Sequence, residues 1–334
     1  MSPWKRLNQE LGFGGEEKPF IPRETNFLIV GGGLVGMSLA YWLKAYSNKY
    51  SGQSKVVVVE RDPSYTRASS VLSCGGLRHQ FSLAENIQLS MYTTEFLQEI
   101  KEHLSILGEN DPPDVQFNHQ GYLFLEGPEK AEKLAKMVDM QNQMGAKIRL
   151  LTKSQLKEKF PWINLENVEV GSYGIQGEGW FDPYLFLRCL YQKNLALGID
   201  IVHGELDRFE FQPGPLGKDR LSGAYIKTND GQEHGIKSTL VFNCAGSWAR
   251  EIAMKANLCS KDCSDFAVQP RKRYVYTFHC PDGPGIESPF FVDTTGVYFR
   301  REGLGGNYIC GASPSKDYEP PSDDLSVDYK FFEE

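Results

Sequence analysis

Residues 26–43, "NFLIVGGGLVGMSLAYWL", constrain this chain more than any other stretch, because an uncharged run meets three consecutive glycines. A membrane span needs about 20 apolar residues, and glycines inside a helix each cost roughly 1 kcal/mol relative to Ala. The stretch therefore reads as a strand and a turn. Phe27 to Val30 has the character of a buried parallel strand, and it runs into Gly31-Gly32-Gly33-Leu34-Val35-Gly36, a G-x-G-x-x-G at a strand-to-helix junction. Gly31 permits the tight turn, Gly33 lets a pyrophosphate approach the backbone, and Gly36 lets the next helix pack close to the strand. The helix from Leu34 then offers free N–H groups and its positive dipole end to phosphates.

The residues that follow sharpen this reading. Lys55-Val56-Val57-Val58-Val59-Glu60 is a second buried strand ending in a carboxylate, which can accept hydrogen bonds from ribose hydroxyls and would repel a 2′-phosphate. The βαβ unit thus fits an ADP moiety of FAD or NAD rather than NADP. A nicotinamide enzyme would continue with a helix and another strand. Here "RDPSYTRASSVLSCGGLRHQF" forms a long loop instead. Arg61, Ser69, Ser70, Gly75, Gly76 and Arg78 are groups that can bond to, or closely approach, an extended cofactor, which favours FAD; the alternative is a plain surface loop.

Composition removes other classes. A net charge of −7 with 24% charged residues leaves no basic surplus for nucleic acid. Seven cysteines at 74, 189, 244, 259, 263, 280 and 310 show no CxxC pair or His/Cys cluster, so they read as free thiols in a reducing compartment and no metal site is expected. The opening "MSPWKRLNQELGFGGEEKPF" mixes Lys5 and Arg6 with Glu10, Glu16 and Glu17, and so matches neither a secretory signal nor an Arg-rich, acid-poor transit peptide.

The glycine motif, Glu60, the Ser-Ser…Gly-Gly loop, "GEGWFDPYLFLRCL" at 177–190 and "LVFNCAGSWA" at 240–249 together resemble the D-amino-acid oxidase, sarcosine oxidase and glycine oxidase superfamily of flavoproteins. The resemblance implies an α/β fold with α+β insertions: a Rossmann-like FAD-binding domain interleaved with an antiparallel-sheet substrate domain. It implies FAD as cofactor, with Ala245 and Gly246 a second place where the backbone approaches it. Further segments, "VVVVERDPSYTRAS", "QFSLAENIQLS", "KFPWIN", "EGWFDP", "PRKRYVY" and "YFRREGLGGNY", resemble one mitochondrial member tied to assembly of respiratory complex I. Complex I subunits or assembly intermediates are its expected partners, the matrix or the matrix face of the inner membrane its expected location, and peripheral membrane association compatible with it.

The remaining chain supplies expectations of its own. Ser82 and Glu85 have capping-box spacing ahead of a long helix whose stripe, from Leu89 and Tyr92 to Leu104 and Leu107, is expected in the core. Val115–Phe117 and Tyr122–Leu125 suggest a hairpin, followed by a helix over Pro128–Met144 ended by Gly145, and a strand over Lys147–Leu151. Asp182 and Pro183 open a helix that Gly198 closes. Trp180 and Phe181 read as core, and Cys244 as a small buried thiol. Arg271-Lys272-Arg273 and Arg300-Arg301 read as solvated strand entrances in preference to substrate-carboxylate sites. The expected division is an N-terminal extension over 1–24, an FAD domain over 25–110 and 168–260, a substrate domain over 111–167 and 261–311, and a polar tail over 312–334.

In the superfamily a C-terminal strand, glycine turn and helix close the FAD domain, and nothing after residue 311 resembles them. The expectation is an exposed sheet flank, weak FAD retention and marginal stability unless a partner covers that surface. For an intact relative the resemblance implies oxidation of an amine or amino acid, with hydride passing from the carbon beside nitrogen to flavin N5. Arg78 is the candidate for gripping a substrate carboxylate and His79 for proton transfer. An NAD-linked dehydrogenase is the third reading.

Overall fold

The computed structural model describes residues 21–50, 52, 54–260, 268–315 and 319–333. The opening segment and Cys263 lie outside them. In chain order the first strands are β1 Glu24–Val30, β2 Val56–Glu60, β3 Gly76–Leu77, β4 Tyr122–Glu126, β5 Ile148–Thr152, β6 Val170–Gly174 and β7 Gly179–Trp180. They continue as β8 Asp200–Pro213, β9 Asp219–Thr228, β10 Glu233–Asn243, β11 Tyr276–His279, β12 Phe290–Val292, β13 Tyr298–Glu302 and β14 Asn307–Gly311.

One compact unit is drawn from the described parts of Met1–Ser64, Asn194–Ala245 and Ala249–Asp265. Its strands pair in a closed order, β1-β10-β9-β8-β2. β1 lies parallel to both β2 and β10, the start of β8 continues parallel to β2, and β9 joins the rest of β8 to the start of β10 in antiparallel fashion. β8 is 14 residues long, enough to serve a parallel sheet at one end and a meander at the other. All four valines of β2 are buried, which is why their run lacks polar alternation; each contributes roughly 1.5–3 kcal/mol of burial. Leu28, Val30, Leu206 and Ile226 complete the core between sheet and meander. Beyond β1 the second half of β10 has no further strand partner among the described residues, and Leu240 there is 52% exposed.

The other unit comprises the described parts of Tyr65–Lys193, Gly246–Trp248 and Phe266–Glu334. Its seven-stranded sheet has the order β11-β14-β13-β12-β4-β6-β5, antiparallel except where β12 meets β4. Strand alternation gives it two apolar faces. Leu123, Leu125 and Phe291 pack with Leu156, Phe160 and Ile163 on one; Tyr122 and Phe290 pack with Trp180 on the other, beside Phe124 and Tyr298. The pair β3-β7 brings Gly76 opposite Trp180. Residues 65–110 and 168–193, expected with the FAD domain, thus cluster with the substrate strands, and so does the tail, whose Phe331 and Phe332 rings meet Tyr274 and Tyr276.

Several local expectations are corrected. The helix after Ser82 starts at Ala84 with Leu83 as its cap and no side-chain cap bond. It ends at Gln98, and a short helix follows over Ile100–Leu104. Of the expected stripe Phe96, Leu97, Ile100 and Leu104 are buried, but Leu89, Tyr92 and Leu107 are exposed, and the buried face also carries Ile87, Ser90 and Thr94. Val115–Phe117 forms no strand; only Asn118 makes an isolated bridge, to Trp180. Arg300 and Arg301 are buried rather than solvated. Among the described residues no helix is long and apolar enough to cross a membrane.

Candidate functional site

In the first unit the glycine turn leaves β1 between its two parallel neighbours. Gly31 has φ 104°, and a Cβ there would lie 2.4 Å from the Cys244 carbonyl oxygen, so a side chain is excluded by both conformation and space. A Cβ on Gly36 would fall 1.9 Å from the Gly31 oxygen, the close packing that the third glycine provides. The Met37 N–H donates to the Gly33 oxygen at 2.9 Å, leaving the preceding amides of the Leu34–Tyr50 helix as free terminal donors. Cys244 donates its N–H to Val30, so its turn, with Ala245, lies directly against Gly31. Burial holds the Cys244 thiol above its ordinary pKa, consistent with a packing role.

Glu60 ends β2 beside this turn. Its carboxylate accepts from the Gly32 N–H and the Asp62 N–H, each at 2.8 Å. A carboxylate has about four lone-pair directions, so both oxygens retain acceptor capacity for ribose hydroxyls. Arg61 is directed to Glu205, 3.7 Å away. The narrow backbone cradle, the free helix amides and an oriented carboxylate suit an adenosine diphosphate moiety.

The second unit carries the loop. Ser69 and Ser247 hydroxyls lie 3.4 Å apart, and Arg67 stands over Trp248 at 5.4 Å, so these contacts link the Ser-Ser stretch to the turn that Gly246 opens with φ 53°. The Ser70 carbonyl accepts from Ser73 Oγ. Gly75 is pressed against the Phe181 carbonyl, and Gly76 against the stacked rings of Tyr122 and Phe290.

Arg78 follows on the same sheet face. Its guanidinium lies 4.6 Å from Phe81, 5.0 Å from Phe124 and 5.8 Å from Tyr122 ring centroids, and no hydrogen bond or ion pair to a described residue engages it. The next residues are held from beneath. His79 N–H donates to Glu178 Oε1 at 2.6 Å and Gln80 Nε2 donates to Glu178 Oε2 at 2.8 Å. Thr94 Oγ1 donates to the Gly177 carbonyl and lies 2.8 Å from His79 Nε2. Because that hydroxyl proton is already used, the imidazole must be the donor, which assigns the Nε2–H tautomer. Burial lowers the His79 pKa, so the ring is neutral near pH 7. Burial is also the main cause that raises Glu178 to about 7, against the opposing pull of its hydrogen bonds and of Arg78.

The profile of the FAD dependent oxidoreductase family, DAO, matches residues 26–332. The chain belongs to that family. It is 43% identical to the Xenopus laevis FAD-dependent oxidoreductase domain-containing protein 1 over 94% of this chain, and it spans 65% of that relative's length. It is 26% identical to the mitochondrial dimethylglycine dehydrogenase of Rattus norvegicus, over 86% of this chain and 31% of that protein. Among solved structures, L-proline dehydrogenase from P. horikoshii superposes with a TM-score of 0.73 at 23% identity, covering 94% of this chain and 75% of that one. The fold of the DAO family, a mixed α/β architecture with several sheets, is therefore the fold of this chain.

Within this family fold, Gly31, Gly33, Gly36, Glu60, Arg61 and Ala245 sit in the first unit, and Ser69, Ser70, Gly75, Gly76, Arg78, His79 and Gly246 in the second. Sequence reasoning passed over Gly32, whose N–H orients Glu60, and Glu178. A signal for Glu178 was present: a single acid between two glycines, ahead of Trp180 and Phe181. Both glycines are required there, since a Cβ on Gly177 would meet the His79 ring at 2.6 Å and one on Gly179 the Asn118 oxygen at 1.8 Å. Arg300 was also misjudged. It donates from Nε to the Cys74 carbonyl at 2.6 Å, pairs with Glu302 and lies 5.9 Å from the Trp180 ring, so its charge fixes the loop.

Proposed function

We propose that this chain binds FAD and serves the assembly of respiratory complex I in mitochondria. The observation that carries FAD binding is the turn at Gly31, pressed to the Cys244 carbonyl beside the Gly32-oriented Glu60 carboxylate. When bound, the flavin supplies two-electron redox chemistry; the chain supplies the cradle for its adenosine end. Support for the mitochondrial setting comes from similarity to the rat mitochondrial dimethylglycine dehydrogenase. Support for the assembly role comes from the long segments that resemble a complex I assembly-associated flavoprotein. Purified chain is expected to carry flavin, measured by absorption and by release on denaturation, and to co-purify with complex I subunits or intermediates from mitochondria. Flavin-free protein that takes up none when FAD is added would sink the first half, and absence of those subunits the second.

A second reading, oxidation of a carboxylate-bearing amine, is favoured by Arg78. A guanidinium ringed by Phe81, Tyr122 and Phe124, with no hydrogen bond or ion pair to a described residue, is preorganised to take both oxygens of a carboxylate. His79, neutral and bonded through Nε2–H, serves in this reading to hold the segment at Arg78 in place. Arg78→Leu is expected to abolish flavin reduction by amino acids while leaving flavin content unchanged. Subunit association that survives the same substitution would separate the assembly role from the catalytic one.

A further inference from the structure

The sheet face opposite Tyr122 and Arg78 holds a cavity of about 760 Å³, within the size range of small-ligand sites. Its walls are aromatic. Trp162 meets the Phe291 ring at 5.4 Å and 63°, and the Phe299 ring at 5.8 Å and 58°, while Tyr308 and Phe278 stack at 5.4 Å to form another wall. The lining includes three carboxyl side chains, from Glu166, Asp282 and Asp293, and no Lys, Arg or His. Asp293 is committed to its own turn, accepting from the Thr295 and Val297 N–H groups. No ion pair with a described residue engages the side chains of Glu166 and Asp282.

We infer that this cavity is a receptor for a small amphiphilic organic cation, an alkyl- or arylammonium whose apolar body lies among Trp162, Phe291 and Phe299 while its charge faces Glu166 and Asp282. Aromatic faces carry negative quadrupole and attract ammonium groups, and two unpaired carboxylates add to that attraction. An anion would meet only like charge here. A bare metal ion lacks a ligand set, since no group of three His, Cys, Asp or Glu side chains among the described residues could hold one. The inference does not depend on the FAD reading, because it uses none of the residues of the glycine cradle or of the Arg78 face.

The test is titration calorimetry of the purified full chain with (3-phenylpropyl)trimethylammonium and with its uncharged isostere, in which carbon replaces the quaternary nitrogen. The cation is expected to bind about tenfold more tightly than the isostere. The double variant Glu166→Gln, Asp282→Asn, altered only at exposed carboxylates, is expected to lose about fivefold in affinity for the cation and none for the isostere, with an unchanged melting curve. If that variant melts early, the parent chain decides the matter alone: added salt must weaken binding of the cation and spare the isostere. Equal affinity for the two compounds would make the cavity a plain apolar groove. No binding of either, or cation binding indifferent to both the double variant and salt, would also overturn the inference.

Discussion

Glu178 is 1% exposed, and its carboxylate receives the His79 and Gln80 donors described above. Its pKa in the native state, about 7 against an ordinary 4.5, means that the folded chain holds this proton more firmly than the unfolded one. The resulting stability is fully present below about pH 4.5 and lost as pH rises to about 7, a change of roughly 3 kcal/mol. His79 acts in the opposite sense: its lowered value adds stability as pH rises through its ordinary pKa. Glu178→Gln removes only the first contribution. Urea unfolding at about pH 5 and about pH 8 should show the variant gaining on the parent at the higher pH; a difference independent of pH would contradict the assignment. At Gly31 the constraint is steric. Gly31→Ala forces a Cβ to 2.4 Å from the Cys244 oxygen at φ 104°, and should cost about 1–3 kcal/mol in stability together with most bound flavin, read from melting and from flavin per chain.

Helices show where sequence pattern informs and where it misleads. Asp182 caps the Pro183–Ala196 helix through bonds from Tyr184 and Leu185 N–H to Oδ1 at 2.8 and 3.0 Å. Asp182→Ala should cost about 1 kcal/mol in denaturant unfolding, with an unchanged midpoint counting against the cap. That helix was legible because its start signals, Asp182 and Pro183, adjoin in the chain and Gly198 stands just past its end. The Ala84–Gln98 helix was legible as a helix but only in part in its orientation. Its buried face includes Ser90, which donates to the Arg78 carbonyl, and Thr94, which serves Gly177 and His79. Polar side chains are inside because they satisfy a backbone segment that only the folded chain brings there. A stripe judged by hydrophobicity alone therefore found Phe96, Leu97, Ile100 and Leu104, which are buried, but also took in Leu89 and Tyr92, which face water.

Across the whole chain, local signals carried the glycine turn, β2 and the helix after Asp182, while long-range ones were hidden. Glu178 meets His79 and Gln80 across 99 and 98 residues of sequence, and nothing in either neighbourhood names the other. The buried arginines were misread for the same reason: Arg300 finds its carbonyl acceptor 226 residues away, at Cys74. Binding of FAD by the native chain alone should stabilise it by about 2.7 kcal/mol at a hundred times Kd, seen as a rise in melting temperature with FAD concentration. No rise would argue against an ADP-binding cradle.

The tail has a consequence for solubility. β11 is the terminal strand of its sheet. Arg271 and Arg273 both pair with Glu319, Tyr276 donates its hydroxyl proton to the Asp328 carbonyl, and Phe331 and Phe332 rest on Tyr274 and Tyr276. A terminal strand with bare aromatic side chains invites strands of other molecules to add on. Residues 319–333 are therefore expected to guard against self-association. A chain cut after Ser315 should scatter light increasingly with concentration under conditions where the longer chain remains clear; equal clarity would show that β11 needs no such cover.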